Sequence, residues 1–219
     1  MGSNTLAGAS YNDEMTAAYY DSSNYYSPWL IVRRSQRTNG TAEITIVKRS
    51  DYMDSFSGSS MWMPPPSCGN AQRVAGIVKA SDGAFVATVG SADGNAYLWR
   101  IPSSGGNGAC WLIPHLDKSV RAPAILSDGR VGVIDDLSNL QNEGAHARMM
   151  VMKAYGAAYY ADPALNAGAP IYWLHPTSAD AFNTTFARAI TAQGNQFIVV
   201  GTKNYRSPDL DVSVTRIAP

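Results

Sequence analysis

The sequence predicts an all-β protein built as a β-propeller of four blades, and three observations carry that prediction. The first is a unit written four times: Ile46-Val47-Lys48, Leu98-Trp99-Arg100, Val151-Met152-Lys153 and Val214-Thr215-Arg216. Each ends an apolar run with a base, and successive bases lie 52, 53 and 63 residues apart. The second is an apolar run upstream of each unit: Trp29–Val32, Phe85–Val89, Val131–Ile134 and Phe197–Val200. The third is a tryptophan near a proline downstream of the first three, at Trp62-Met63-Pro64, Trp111-Leu112-Ile113-Pro114 and Trp173-Leu174-His175-Pro176. Short strands repeating at about 40–50 residues mark blades that bury their faces only against their neighbours. The array reads as one domain, 1–219, with blades over about 12–68, 69–117, 118–178 and 179–219.

In blade 1 the expected strands are Thr16 to Tyr20, Trp29 to Arg33, Glu43 to Lys48 and Met61 to Met63. In blade 2, Val74 to Ala80 leads through the hairpin turn Ser81-Asp82-Gly83 to Phe85–Val89, then Ala96 to Ile101 and Cys110 to Ile113; Asp-Gly favours such turns. Blade 3 repeats this with Ala122 to Leu126, Val131 to Ile134, Arg148 to Lys153 and Ile171 to Leu174. Blade 4 has Phe186 to Thr191, Phe197 to Gly201 and Val212 to Ile217, with no fourth strand after it. Thr5-Leu6-Ala7-Gly8-Ala9 is the candidate closing strand, since pairing it there would remove an exposed edge. The ring then closes with four blades; alternatively these are half of a larger seven- or eight-bladed disc. Gly76, Ala122 and Ala187, with Ala18, align where inner strands crowd the axis. The recurrent tryptophans and bases are expected to be packing residues, the bases laying their stems on a neighbouring blade.

Composition narrows function mainly by exclusion. Seventeen basic and seventeen acidic residues cancel, so no strong field favours nucleic acid or an anionic membrane. The apolar runs are strand-sized, so no membrane insertion is expected. A charged fraction of 16% is low, and Gly, Ser, Asn and Tyr are plentiful, as suits an exported protein, extracellular or periplasmic. Met1-Gly2-Ser3-Asn4 reads as an expression scar on an excised domain. If strands alternate in direction, Cys68 and Cys110 fall on opposite faces, about 17–20 Å apart. A disulfide needs Cα atoms within about 7 Å, so two free thiols are expected.

No nucleophile elbow, phosphate loop or zinc-protease helix is present. Three histidines, His115, His146 and His175, show no metal-ligand spacing. No cofactor and no metal are expected. Asp136 and Glu143 in the blade 3 insertion, with Asp209 and Asp211 in the blade 4 loop, are the acids that could meet for glycoside hydrolysis. Asp is also a favoured turn former, which is the commoner reason for acids at such places. Tyrosines offer adaptable contact surface. Tyr11, Tyr19, Tyr20, Tyr25 and Tyr26 crowd the N-terminal region, and Tyr155, Tyr159 and Tyr160 open an insertion. Loops joining second to third strands share a face with the outer-to-inner connectors, and function concentrates on such loops. The expected binding residues there are Arg37, Asn39, Asp93, Asn139, Asn204 and Tyr205, with Tyr25 and Tyr26 from the N-terminal tyrosine cluster.

Gly90-Ser91-Ala92-Asp93-Gly94-Asn95-Ala96-Tyr97, followed by a Gly-rich turn and Trp111, resembles the repeat of quinoprotein-like (PQQ-like) propellers. Ala189 to Thr202, ending in Asp211 to Arg216, looks like a delta-60-type bacterial propeller repeat. The resemblance lies at the level of the repeat and implies architecture rather than activity. Quinone-binding relatives use eight blades and often an adjacent cysteine pair, and this chain has neither. Non-catalytic relatives serve as protein- or glycan-binding platforms in bacterial envelopes. The resulting expectation is a non-enzymatic binding or assembly module that presents loops to a protein or glycan. The alternatives are a polysaccharide-active hydrolase or lyase, and a structural oligomer or fibre subunit, a homo-oligomer whose open strand edge is filled by a neighbour.

Overall fold

The structure, a computed structural model, describes residues 12–24, 29–36, 42–49, 61–137, 146–152, 171–173, 184–204 and 210–219. These residues form fifteen strands in four antiparallel sheets. Sheet I contains β1 (Asn12–Tyr20), β2 (Trp29–Gln36), β3 (Ala42–Arg49) and β4 (Met61–Trp62). Sheet II contains β5 (Ala71–Lys79), β6 (Phe85–Ser91), β7 (Asn95–Ile101) and β8 (Ala109–Asp117). Sheet III contains β9 (Ala124–Ile125), β10 (Val131–Leu137), β11 (His146–Met152) and β12 (Ile171–Trp173). Sheet IV contains β13 (Thr184–Gln193), β14 (Gln196–Asn204) and β15 (Leu210–Ile217). Each sheet is a meander in which every strand pairs with its sequence neighbour. The fold is all-β, and the only helical element among the described residues is one 3-10 turn, Pro66–Cys68. The expected closing segment Thr5–Ala9 lies outside the described residues.

Consecutive sheets pack face to face, and alternation along each strand decides which neighbour a residue meets. Leu30, Val32, Ile44, Ile46 and Trp62 of sheet I bury against Phe85, Ala87, Val89, Trp99 and Ile101 of sheet II. The intervening residues Val86, Ala96 and Leu98, with Ile113, point the other way onto Val131, Val133, Met150 and Met152 of sheet III. Ile134, Ala147, Met149 and Val151 then meet Phe197, Val199 and Ile217 of sheet IV. First strands lie side by side, β5 against β1, β9 against β5 and β13 against β9.

The expected crowding of inner strands is present between sheets II and III. A Cβ added to Gly76 would overlap Ala122, so only glycine lets these backbones approach. Ala187 is buried, whereas Ala18 is exposed. Two hydroxyls tie neighbouring sheets: Thr16 donates to the Val74 carbonyl (3.3 Å) and Thr88 to the Arg121 carbonyl (2.7 Å). Of the recurrent bases, Lys48 sits 4.9 Å from the Trp62 ring centroid, and Arg100 pairs with Asp82. Arg216 is exposed. Lys153 and the Trp173 side chain lie outside what is described.

The expectation of two free thiols is overturned. Cys68 and Cys110 form a disulfide, with Cα atoms 5.0 Å apart. The expectation assumed that sheet I's outer strand carries the chain to the far rim before Cys68. Instead β4 has only two residues, and the following 3-10 turn lies on β7 and β8. The Ser67 hydroxyl accepts from the Cys110 N–H (3.1 Å), and Asn107 Oδ1 accepts from Met63 N–H (3.1 Å). Cys110 pairs in register with buried Trp99, on the side of sheet II that faces sheet I. The crosslink therefore joins the sheet I–II connector to the outer strand of sheet II.

Candidate functional site: a cationic cleft between two sheets and a connector

Bulges in the inner strands shape the site. In β1 the pairing skips Thr16, between Met15↔Arg33 and Ala17↔Val32. In β5 it skips Gln72, between Ala71↔Ser91 and Arg73↔Gly90, and skips Ala75 further along. A bulge leaves one residue unpaired in the ladder and re-aims its side chain, as is common beside binding sites. Both Thr16 and Gln72 line one cleft of about 660 Å³.

The other walls come from two sheets and one connector. Arg34 enters from β2 and Arg73 from β5, while Lys118 and Ser119 come from the connector between β8 and β9. Exposed Met15 lies at the edge. Gly90 forms part of the wall because a Cβ there would come within 2.5 Å of the Lys118 carbonyl oxygen. Among the described lining residues are three cations and neither a carboxylate nor an aromatic ring.

The connector is held rigidly, which fixes where Lys118 and Ser119 stand. Lys118 N–H donates to the Gly94 carbonyl (2.9 Å), so the β6–β7 turn and the β8–β9 connector meet at one end of the sheets. Ser119 N–H donates to Asp117 Oδ1 (2.7 Å). Asp117 N–H in turn donates to Asp135 Oδ2 (3.0 Å). Asp135 is fully buried and receives Arg148 as a fork, Nε to Oδ1 at 3.1 Å and the terminal nitrogen to Oδ2 at 2.6 Å. Burial pushes the Asp135 carboxyl up, with Arg148 and the Asp117 N–H pulling against it. This buried pair is a structural anchor reaching from sheet III to the cleft wall.

The acids expected to serve catalysis are placed differently from the expectation. Asp136 stands not in a loop but within β10, opposite Ala147. Asp211 stands in β15, opposite Lys203. Glu143 and Asp209 lie outside the described residues. The reason is strand length: β10 and β11 continue past the apolar residues, because the Asp135–Arg148 pair satisfies the charges where sequence reasoning ended the strand. Among the described residues no group of three His, Cys, Asp or Glu side chains could hold a metal ion. No helix among them is long and apolar enough to cross a membrane.

Of the expected binding residues, Asp93 is described most fully. It is exposed in the β6–β7 turn, accepts from Asn95 N–H (3.0 Å) and takes the Tyr97 hydroxyl (2.8 Å). These bonds, the Asn95 backbone first, hold its carboxyl down at about 2. Asn204 ends β14 at the same end of its sheet as the β14–β15 loop. Tyr25, Tyr26, Arg37, Asn39, Asn139 and Tyr205 lie outside the described residues. Tyr19 packs edge-on against Phe85 at 6.0 Å, and exposed Tyr20 meets Trp29 at 4.8 Å.

Sequence reasoning missed Thr16, Arg34, Gln72, Arg73 and Lys118. Bulge positions carry no periodic signal, and the cations come from β2, β5 and the β8–β9 connector. Only the Asp117-Lys118-Ser119 connector, beside the β8–β9 junction, was legible as part of the favoured face. Neither family models nor curated proteins gave a match to this chain.

Proposed function

We propose that the chain is a four-bladed β-propeller acting as a non-enzymatic binding module of an exported bacterial protein. The observation that carries the reading is the cleft at the end where the β6–β7 turn meets the β8–β9 connector. It is concave, rimmed by hydrogen-bonding and cationic groups, and built on strands rather than loops alone. A site on rigid elements suits selective binding, and about 660 Å³ falls within the range of small-ligand pockets. Among the described lining residues no carboxylate stands ready as the general acid that the hydrolase alternative needs. The propeller reading is supported by four consecutive meanders with first strands adjacent. Export is supported by the Cys68–Cys110 disulfide, which persists in oxidising compartments.

The test is a set of carbohydrate and protein arrays probed with the intact chain, with reducing-end release from polysaccharides measured in parallel. Selective retention without release is the expected result. Turnover of any polysaccharide would replace the reading with the hydrolase or lyase alternative. A concentration-dependent mass with no ligand retained would favour the oligomer or fibre subunit.

A further inference from the structure

We infer that copies of this chain associate head to tail, the outer face of sheet I in one copy seating on the outer face of sheet IV in the next. Stacked sheets bury their faces only against neighbours, and terminal units ordinarily end in polar outer faces. Both terminal faces here are apolar instead. Leu30 and Val32 bury on sheet II, so alternation turns Trp29 away from it, together with its register partner Tyr20. Trp29 is 37% exposed and Tyr20 49%, and Ala18 beside them is exposed as well. At the other end of the array, Val200, Val212 and Val214 are exposed on the face of sheet IV that turns away from sheet III. Apolar patches at both ends of one stack mark interaction surfaces.

The register of the ladders shows how the two faces match. The first residue of the repeated unit pairs with Val32 in sheet I (from Ile46), Thr88 in sheet II (from Leu98) and Val200 in sheet IV (from Val214). Three residues before each partner stands a ring: Trp29, Phe85 and Phe197. Phe85 buries on sheet I and Phe197 on sheet III. The Phe197 ring lies over Gly132, beside the Met149 methyl. Gly132 pairs with Val151, so Gly132 and Met149 hold in sheet III the positions of Val200 and Val212 in sheet IV. Among the described residues, then, Trp29 is a ring with no preceding sheet, and Val200 with Val212 is a seat with no ring. A valine at the seat admits one, since Val32, at the same position in sheet I, is buried in one cluster with Phe85.

Both halves of this match stay exposed in the same molecule, so the mate of each is on another copy. Seating Trp29 of one copy on Val200 and Val212 of the next continues the contacts that already join sheets I to II, II to III and III to IV. The contact is heterologous, using two different patches of the chain. Three apolar side chains on each side make a small interface of the weak class, for which a Kd on the order of 100 µM is expected. At the few micromolar of a urea melt both faces therefore stay open.

Sedimentation equilibrium of the full chain from about 5 to 500 µM spans that Kd and tests the proposal. The average mass is expected to rise with concentration. Trp29→Glu and Val214→Glu, each measured alone, are expected to weaken association by at least about tenfold. An equimolar mixture of the two variants is expected to regain it as one-to-one pairs. The Trp29→Glu copy keeps an intact sheet IV face, and the Val214→Glu copy an intact sheet I face. Far-ultraviolet CD checks that each variant is folded; Tyr20→Glu and Val212→Glu, at more exposed positions on the same two faces, replace either one that is not. A monomeric mass at every concentration overturns the inference. Association that survives undiminished in either single variant overturns the sheet I–sheet IV contact in favour of like faces or another surface. A mixture no heavier than its separate components overturns it too.

Discussion

Sheets II and IV contain almost the same second strand in different surroundings. β6 begins Phe85-Val86-Ala87-Thr88-Val89-Gly90, and after its first residue β14 runs Phe197-Ile198-Val199-Val200-Gly201-Thr202. Every residue of β6 is buried. In β14, Phe197 and Val199 are buried against sheet III, but Val200 on the other face is 38% exposed. Its register partner Val214 is 63% exposed, and Val212 beside it 74%. Sheet II is covered on both faces, by sheets I and III, whereas sheet IV is covered on one. A strand's apolar pattern therefore states which residues can be buried, and place in the array decides which are.

The largest expected effect separates those two faces. Trp99 is fully buried between sheets I and II, with its indole N–H on the Asn107 carbonyl. Trp99→Ala is expected to cost about 3–5 kcal/mol in a urea melt, through lost burial and the cavity left behind. Val214→Ala is expected to stay within about 0.5 kcal/mol, as for an exposed position. If Val214→Ala instead costs more than about 1.5 kcal/mol, the outer face of sheet IV is covered in solution and the comparison collapses.

The next effect concerns the covalent tie that only the sheet I–II side has among the described residues. Cys68 and Cys110 enclose a loop with a sequence separation of 42. Replacing both by serine is expected to cost roughly 2–4 kcal/mol, as the unfolded chain regains that loop's freedom. In the intact protein, a thiol reagent added after denaturation should label neither cysteine until a reductant is present. Immediate labelling would show that the crosslink does not form.

Between sheets III and IV the fit depends on a missing side chain. A Cβ on Gly132 would come within 2.8–2.9 Å of the Phe197 ring and the Met149 methyl. Gly132→Ala is expected to cost about 1–3 kcal/mol by overpacking. Phe197→Leu in the same chain should return part of that loss, since the two changes share one contact. Strict additivity would mean that sheet IV does not seat on Gly132.

Much of this architecture was legible because strands declare themselves locally. The Asp-Gly turns, the alternating apolar runs and the spacing of the repeated bases located all fifteen strands to within about four residues of their ends. Within that agreement β9 is shorter than expected, Ala124–Ile125 inside the predicted Ala122 to Leu126. Pro123 supplies no N–H there, and Arg121 N–H is taken by the Ile134 carbonyl. What could not be read was whatever depends on how strands of different sheets approach. The disulfide required knowing that β4 stops after two residues and that the connector folds back over β8. The Asp135–Arg148 pair required the β10–β11 register, which keeps two charges inside a strand that looked finished at Ile134. The cleft required three separate bulge and connector positions to converge, a long-range fact with no local sequence signature.

The smallest effect lies at the β6–β7 turn of sheet II. Asp93 titrates near 2, below its ordinary 3.8, chiefly because Asn95 N–H bonds to the carboxylate, with Tyr97 adding a second bond. A carboxylate held down in the folded state contributes stability that is fully present above about pH 4. That stability is lost as pH falls through about 2. Taken at face value the gap is worth roughly 2.5 kcal/mol. Asp93 is exposed, however, and solvent screening brings the expected contribution below about 1 kcal/mol. Asp93→Asn keeps the side chain's shape and an acceptor oxygen but removes the charge, so it should be slightly less stable than the parent at pH 6. The two should converge near pH 2, where the parent carboxyl is half protonated and other carboxylates affect both chains alike. Urea midpoints of the pair at pH 6, 4 and 2 measure that convergence directly. A difference that persists unchanged across all three would assign the residue's contribution to geometry rather than charge.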